Sequence, residues 1–268
     1  MAWPGDRVIT TLVATRHGEL DAAGFRFPLL GRLPYKGFFD RELAAREARR
    51  LRAEGLDVCE VPVRAYSTLG WFDDPVTTPM LDGSALDFAD TLLHEFVHAT
   101  VYVPGDADLN ESAATFVGRE ASVAFAAREP LGASTAAAAR AHARARVHDL
   151  EAIDAALLRF RDRVAQVNAA GGDADERARV EATTREALAR LPLRTRDPAA
   201  FAEQVRLNDA CLALRGTYAA DLPGHAAVFE ARDGHLEAFV ERLRAAAQAP
   251  DPRAAFFSLA APGEAPGP

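Results

Sequence analysis

The stretch His94-Glu95-Phe96-Val97-His98 constrains this chain more than any other part of it. Residues four apart lie one above the other on a single face of an α-helix, whereas on an extended strand they stand roughly 13 Å apart. Leu93, Phe96 and Val97 surround the two histidines with apolar side chains. Two imidazoles and a carboxylate are costly to bury in such company without a partner. A metal ion removes that cost, because two imidazole nitrogens on one helical face can reach it together at about 2.0–2.1 Å. Glu95 adjoins the first histidine, so its carboxylate points to the side where a reacting water would sit and can serve as a general base.

The helix that this pattern demands is signalled independently. Ser84 and Asp87 have capping-box spacing, with Asp in place of the usual Glu. Leu86, Ala89, Leu93, Val97 and Val101 make a stripe apolar enough for a helix buried on most sides, and Pro104-Gly105-Asp106 ends it. Asp108 or Asn110 then opens a second helix. A catalytic zinc takes three protein ligands and keeps one position open. Glu111, thirteen positions beyond His98, is the candidate third ligand, because that distance suits a helix finishing, turning and returning. Ala114 and Gly118 lie on the same face as Glu111 and let the two helices approach closely. A glutamate in a first turn can also serve only its helix dipole, but after the preceding motif the ligand reading is preferred.

The rest of the chain divides by texture. Over residues 1–127 the elements read as α+β. Val8 to Ala14 and Val58 to Val63 are strands, and Phe25 to Phe39 holds two short extended pieces broken by Gly31, Pro34 and Gly37. Between them a helix is capped by Asp40, striped by Leu43, Ala44, Ala48 and Leu51, and ended by Gly55. Residues 128–248 are almost wholly helical in pattern. Leu150, Ile153, Leu157, Phe160, Val164 and Val167 form a seam, Gly171-Gly172-Asp173 turns the chain, and Val180, Thr184, Leu188 and Leu191 fold back on it. Asp197-Pro198 opens a further helix, and Leu236, Phe239, Val240 and Leu243 mark the last. From residue 249 to 268 the composition turns to Pro, Ala and Gly, which reads as a flexible tail.

Composition excludes several functions. A net charge of −8 argues against nonspecific nucleic-acid binding, which needs clustered positive charge. Arg46, Arg49, Arg50 and Arg52 lie among Glu and Ala at helical spacing and read as a solvated face. No apolar run approaches the length of a membrane span. The first residues carry no export signal, so the chain as given reads as cytoplasmic, and a longer natural N-terminus would instead allow the cell envelope or periplasm. Cys59 and Cys211 are too few for a disulfide framework and read as small buried apolar residues.

The His-Glu-x-x-His helix followed by Asn110-Glu111-Ser112-Ala113-Ala114 resembles the gluzincin metallopeptidases. More closely, the chain is similar to the bacterial family of predicted zinc aminopeptidases. The stretches Phe27 to Phe39, Ala65 to Pro75 and the two metal helices carry that resemblance, with weaker support from Arg206 to Ala210 and Gly216-Thr217-Tyr218. It covers about residues 7 to 248 and implies a zincin-like fold, in which a small twisted sheet packs on the metal helices and a helical C-terminal part closes over the cleft. It also implies Zn2+ on His94, His98 and Glu111, and a peptide substrate cut near its amino end. Members of the family often carry a longer N-terminal portion with an export or lipoprotein signal.

A hydrolysis of this kind needs a donor to the oxyanion. Tyr66, Tyr102 and Tyr218 are the candidates. Tyr218 is preferred because it matches a family position and follows Asn208, a polar residue on the stripe of Phe201, Val205 and Leu212. Tyr66 to Asp74 precedes the active helix, where zincins pair an extended segment with the substrate backbone. Asp73 and Asp74 there are candidates to hold a substrate amino terminus, although Asp-Asp-Pro also reads as a turn. His17, His142, His148, His225 and His235 have no ligand spacing. Two other functions stay open: a zinc endopeptidase acting on a specific protein or precursor, and a non-enzymatic metal-binding helical protein. Oligomeric state is open too.

Overall fold

The computed structural model describes residues 5–27, 31–65, 75–128 and 135–258. Its first part is an α+β unit around a three-stranded antiparallel sheet. β1 (Ile9–Arg16) runs between β4 (Tyr35–Phe38) and β5 (Leu56–Val63). β2 (Phe25–Phe27) and β3 (Gly31–Leu33) form a separate two-stranded ribbon. β1 is apolar at consecutive positions because both of its faces are covered. Leu12 and Ala14 pack with Val58 against Ala48 and Leu51 of α1 (Arg41–Ala53). Val13 points the other way and clusters with Cys59 and Ala210.

Register explains that second cluster. Val13 lies opposite Tyr35 on one side and opposite Cys59 on the other. Directly opposed residues share a face, so Tyr35, Val13 and Cys59 form one row across the sheet. α1 begins as its sequence predicts, with Asp40 accepting hydrogen bonds from the N–H groups of Glu42 and Leu43 at 2.7 and 3.1 Å. Gly55 follows its end at φ +82°, a backbone state that favours glycine. Leu43, expected on the buried stripe, is 45% exposed, and Ala44, Ala48 and Leu51 alone bury that face.

The remainder is mostly helical. α2 (Ala85–Thr100) and α3 (Ala107–Arg128) pack against each other, and α4 (Ala136–Ala169) packs on α3. The expected seam is seen in α4, where Ile153, Leu157, Phe160, Val164 and Val167 are buried. α5 (Ala174–Ala189) folds back on it and brings Val180 and Leu188 into the same core. α6 (Pro198–Gln204) and α7 (Asp209–Ala219) follow, and α7 lies against the sheet. Then α8 (Leu222–Glu230), α9 (Leu236–Ala246) and α10 (Pro252–Phe257) pack behind α2 and α3, where Phe116, Val228, Phe239 and Phe256 meet. Residues 252–257 therefore depart from the loose tail that composition implied. They form a helix with Asp251 capping it and a fully buried Phe256, because two adjacent phenylalanines repay the ordering of this short segment.

Cys59 and Cys211 are not separate buried residues but a disulfide across 152 positions of chain. The bond joins the row Tyr35–Val13–Cys59 on the sheet to α7. Closing so long a loop removes unfolded-state entropy, and loss of such a bond costs roughly 2–5 kcal/mol. Cys211→Ser should therefore lower the unfolding free energy by that amount and move the denaturant midpoint down accordingly. A midpoint unchanged from wild type under oxidising conditions would show that the bond contributes nothing to stability.

Candidate active site

α2 and α3 position the site, and local sequence explains how. Ser84 Oγ accepts the Asp87 N–H at 3.1 Å, while Asp87 Oδ2 accepts the Ser84 N–H at 3.1 Å, a closed capping box. Arg146 from α4 donates to Asp87 and to Asp90, at 2.7 and 3.0 Å, and fixes α2 from outside. The turn into α3 is held by Asn110, whose amide accepts the Val103 N–H and donates to the Val103 carbonyl, each at 2.8 Å. α3 starts at Ala107, earlier than Asp108 or Asn110 had suggested. Asp106 caps it by accepting the Leu109 N–H at 2.9 Å. Asp106 also takes Arg253 from α10 at 3.0 Å.

The helices touch closely at Gly118. A Cβ there would meet the Asp90 carbonyl oxygen at 2.8 Å and the His94 Cβ at 3.3 Å. Glu111, seven residues earlier, is thereby brought to the histidines. Nε2 of His94 and Nε2 of His98 are 3.1 Å apart, and Glu111 Oε2 is 3.4 and 3.5 Å from them. A tetrahedral ion at 2.0–2.1 Å from each donor sets those donors about 3.3 Å apart, so the triangle fits a metal ion. The chemistry of the donor set agrees. His98 and Glu111 are buried, and two facing imidazole nitrogens beside a carboxylate can share a cation between them.

The same groups act on one another electrostatically. Burial works to raise the Glu111 pKa, but hydrogen bonds and charge from His94 and His98 outweigh it and hold the carboxyl well below its usual range. Burial lowers the His98 pKa, yet the hydrogen bond and charge of Glu111, with the charge of Glu95, carry it above the ordinary value. Glu95 lies partly exposed on α2, and its charge reaches His98, Tyr35 and Tyr218.

Tyr218 lies on α7. Its ring stacks on His94, with centroids 6.2 Å apart and planes 15° apart. Burial and the charge of Glu111 raise its pKa well above the ordinary value. Tyr102 lies within electrostatic reach of Tyr35. Asn208 is not part of the site. The chain breaks between α6 and α7, and Asn208 caps α7 by accepting the Cys211 N–H at 3.0 Å while donating to the Val58 carbonyl at 3.0 Å. Its partner is thus the sheet. Tyr66, Asp73 and Asp74 lie outside the described residues.

Two residues near the site have no signal in the sequence. Tyr35 donates its hydroxyl to Glu111 Oε1 at 3.1 Å, and only the register of β4 on β1 brings it there. His225 is wholly buried against Phe116, Phe239, Phe256 and Phe257, and its Nε2 lies 2.8 Å from Ser112 Oγ. Ser112 donates to the Asp108 carbonyl at 2.5 Å, so the imidazole is the donor between them, through an Nε2–H. Burial, aided by Arg253, lowers the His225 pKa to about 3 and keeps it neutral. Among the described residues a second group, His17, Asp57 and Asp209, also has donor spacing. Asp209 is already satisfied there by the Gly18 N–H at 3.1 Å and Arg177 at 3.2 Å.

The family model described as "Putative aminopeptidase" matches residues 5–256. The chain belongs to that family. Membership spans both the sheet and the helices that carry His94, His98 and Glu111, and it makes a peptide the substrate class. No curated protein and no solved structure matches the chain.

Gly118 gives this geometry a direct test. Gly118→Ala places a methyl against the Asp90 backbone, which cannot move aside cheaply, and overpacking of this kind costs roughly 1–3 kcal/mol. The helices should separate and metal affinity should fall by about tenfold or more. Chelator competition on the purified variant measures it, and wild-type affinity would mean that the close approach does not set the site.

Proposed function

We propose that this chain is a zinc peptidase of zincin-like architecture that removes residues from the amino end of peptides. The observation that carries the reading is the donor triangle of His94, His98 and Glu111, with edges of 3.1, 3.4 and 3.5 Å, in a family of aminopeptidase description. A zinc ion held by those three residues would supply Lewis-acid polarisation and acidify water. Glu95 takes the proton of the attacking water and returns it to the departing amine, a role that suits a partly exposed carboxylate one residue from a donor histidine. Tyr218 donates to the carbonyl oxygen as it gains negative charge, a role supported by the stacking of its ring on His94. Tyr66, Asp73 and Asp74 bind the substrate on the approach to α2, and the helices from residue 128 onward close the cleft. The disulfide between Cys59 and Cys211 supports an oxidising compartment outside the cytoplasm over a reducing one.

Roles separate by mutation. His98→Ala should lose the zinc, about one ion per chain in the parent protein, as read by elemental analysis. Glu95→Gln should keep fold and zinc but lose peptide hydrolysis by roughly 10²–10⁴-fold, because it removes only the base. Loss of zinc from Glu95→Gln as complete as from His98→Ala would move Glu95 from base to ligand.

Specificity separates the two peptidase readings. A free amine is positive near neutral pH, and the Asp73 and Asp74 carboxylates would fix it ahead of the scissile bond. Losing one charge-assisted contact costs roughly 1.5–3 kcal/mol, so acetylating the substrate amine should slow cleavage about ten- to a hundredfold. Internal cleavage of the capped peptide at an equal or greater rate would make the protein an endopeptidase.

A further inference from the structure

The two oxygens of Glu111 face different neighbours. Oε2 lies 3.4 and 3.5 Å from Nε2 of His94 and of His98, whereas Oε1 accepts the Tyr35 hydroxyl at 3.1 Å. The last torsion of a glutamate is broad and roughly two-fold, so the carboxylate alone has no strong preference for this orientation. We propose that Tyr35 is a positioning residue that holds Oε1 away from the histidines, so that Glu111 offers the metal a single oxygen.

The proposal rests on the metal reading above and adds a part to it. A tyrosine hydroxyl is a neutral donor at physiological pH, and a charge-assisted bond to a buried carboxylate is among the stronger hydrogen bonds. The donor also comes from a rigid place. Tyr35 opens β4, pairs with Val13 in the centre of the sheet, and packs with Val13, Cys59 and Ala210. A group held on a strand and locked by packing orients its partner more tightly than one on a loop. Tyr35 is 76 residues from Glu111 in sequence, so this single bond ties the sheet to the metal helices. Partners that orient a ligand in this way are worth about 10–100-fold in metal affinity.

The test is Tyr35→Phe, which removes one oxygen and keeps the ring. Zinc affinity, measured by competition with a chromophoric chelator, should fall about 10–100-fold. Excess zinc should then restore the wild-type kcat, because no group that touches the substrate has been removed. Affinity within twofold of wild type would overturn the proposal, and so would a kcat that stays low at saturating zinc. A cycle with Glu111→Ala guards against a variant that merely folds badly. If Tyr35 acts through Glu111, adding Tyr35→Phe to Glu111→Ala leaves zinc affinity unchanged, and a further fall overturns the idea. The chelator arms read metal and need no turnover, so failure of the peptidase reading would show separately, as a zinc-loaded wild type that cuts no peptide.

Discussion

A buried carboxylate set between two imidazoles organises this molecule. Glu111 lies within 3.5 Å of both Nε2 atoms, and His98 and Glu111 are buried. Charges enclosed in this way are tolerated only when their partners are fixed in place. Much of the nearby structure can be understood as fixing them. Gly118 removes a side chain where α2 and α3 cross, Asn110 ties the turn between them, and Ser112 is braced by His225 from the far side. The three supports come from the residues around Glu111 itself, which explains why so polar a segment of α3 is buried along most of its length.

The layers around this pair have different tasks. On one side, the aromatic cluster of α8, α9 and α10 presses on α3 through Phe116, Phe239 and Phe256. On the other, the sheet brings Tyr35 to Glu111 and α7 sets Tyr218 against His94. α4 anchors α2 through Arg146 and α3 through Asp154, which accepts Arg119 at 2.7 Å. The site is thus bounded by apolar packing behind and by hydrogen-bonded side chains in front. That division keeps the donor nitrogens and oxygens away from hydrocarbon.

How much of this was legible in the residues themselves follows from the range of each interaction. The helix spacing of His94 and His98, the Ser84–Asp87 box and the Asp40 cap act within a few positions, and each appears as read. Glu111 and Gly118 were legible because two consecutive helices joined by a short turn leave few ways to pack. Tyr35 and His225 were not, since their contacts depend on sheet register and on a helix more than a hundred residues from Ser112. Asn208 misled because its stripe assumed an unbroken helix, whereas the helix stops at Gln204 and a new one starts at Asp209. The Cys59–Cys211 bond was illegible for the same reason of distance, two cysteines 152 positions apart carrying no local signal.

That separation has a consequence in time. β5 is complete after residue 63, but the helix that covers its Cys59 is not made until the chain has grown past residue 211. At ordinary rates of synthesis the intervening 152 residues take roughly 8 to 30 s. For that interval the sheet lacks the cover of α7, and Cys59 is a lone thiol on a strand that, among the described residues, has one unpaired edge. The chain contains two cysteines in all, so no wrong partner exists within it. A single long-range pair thus makes the finished link unambiguous while leaving the growing chain, until α7 appears, dependent on whatever shields that strand.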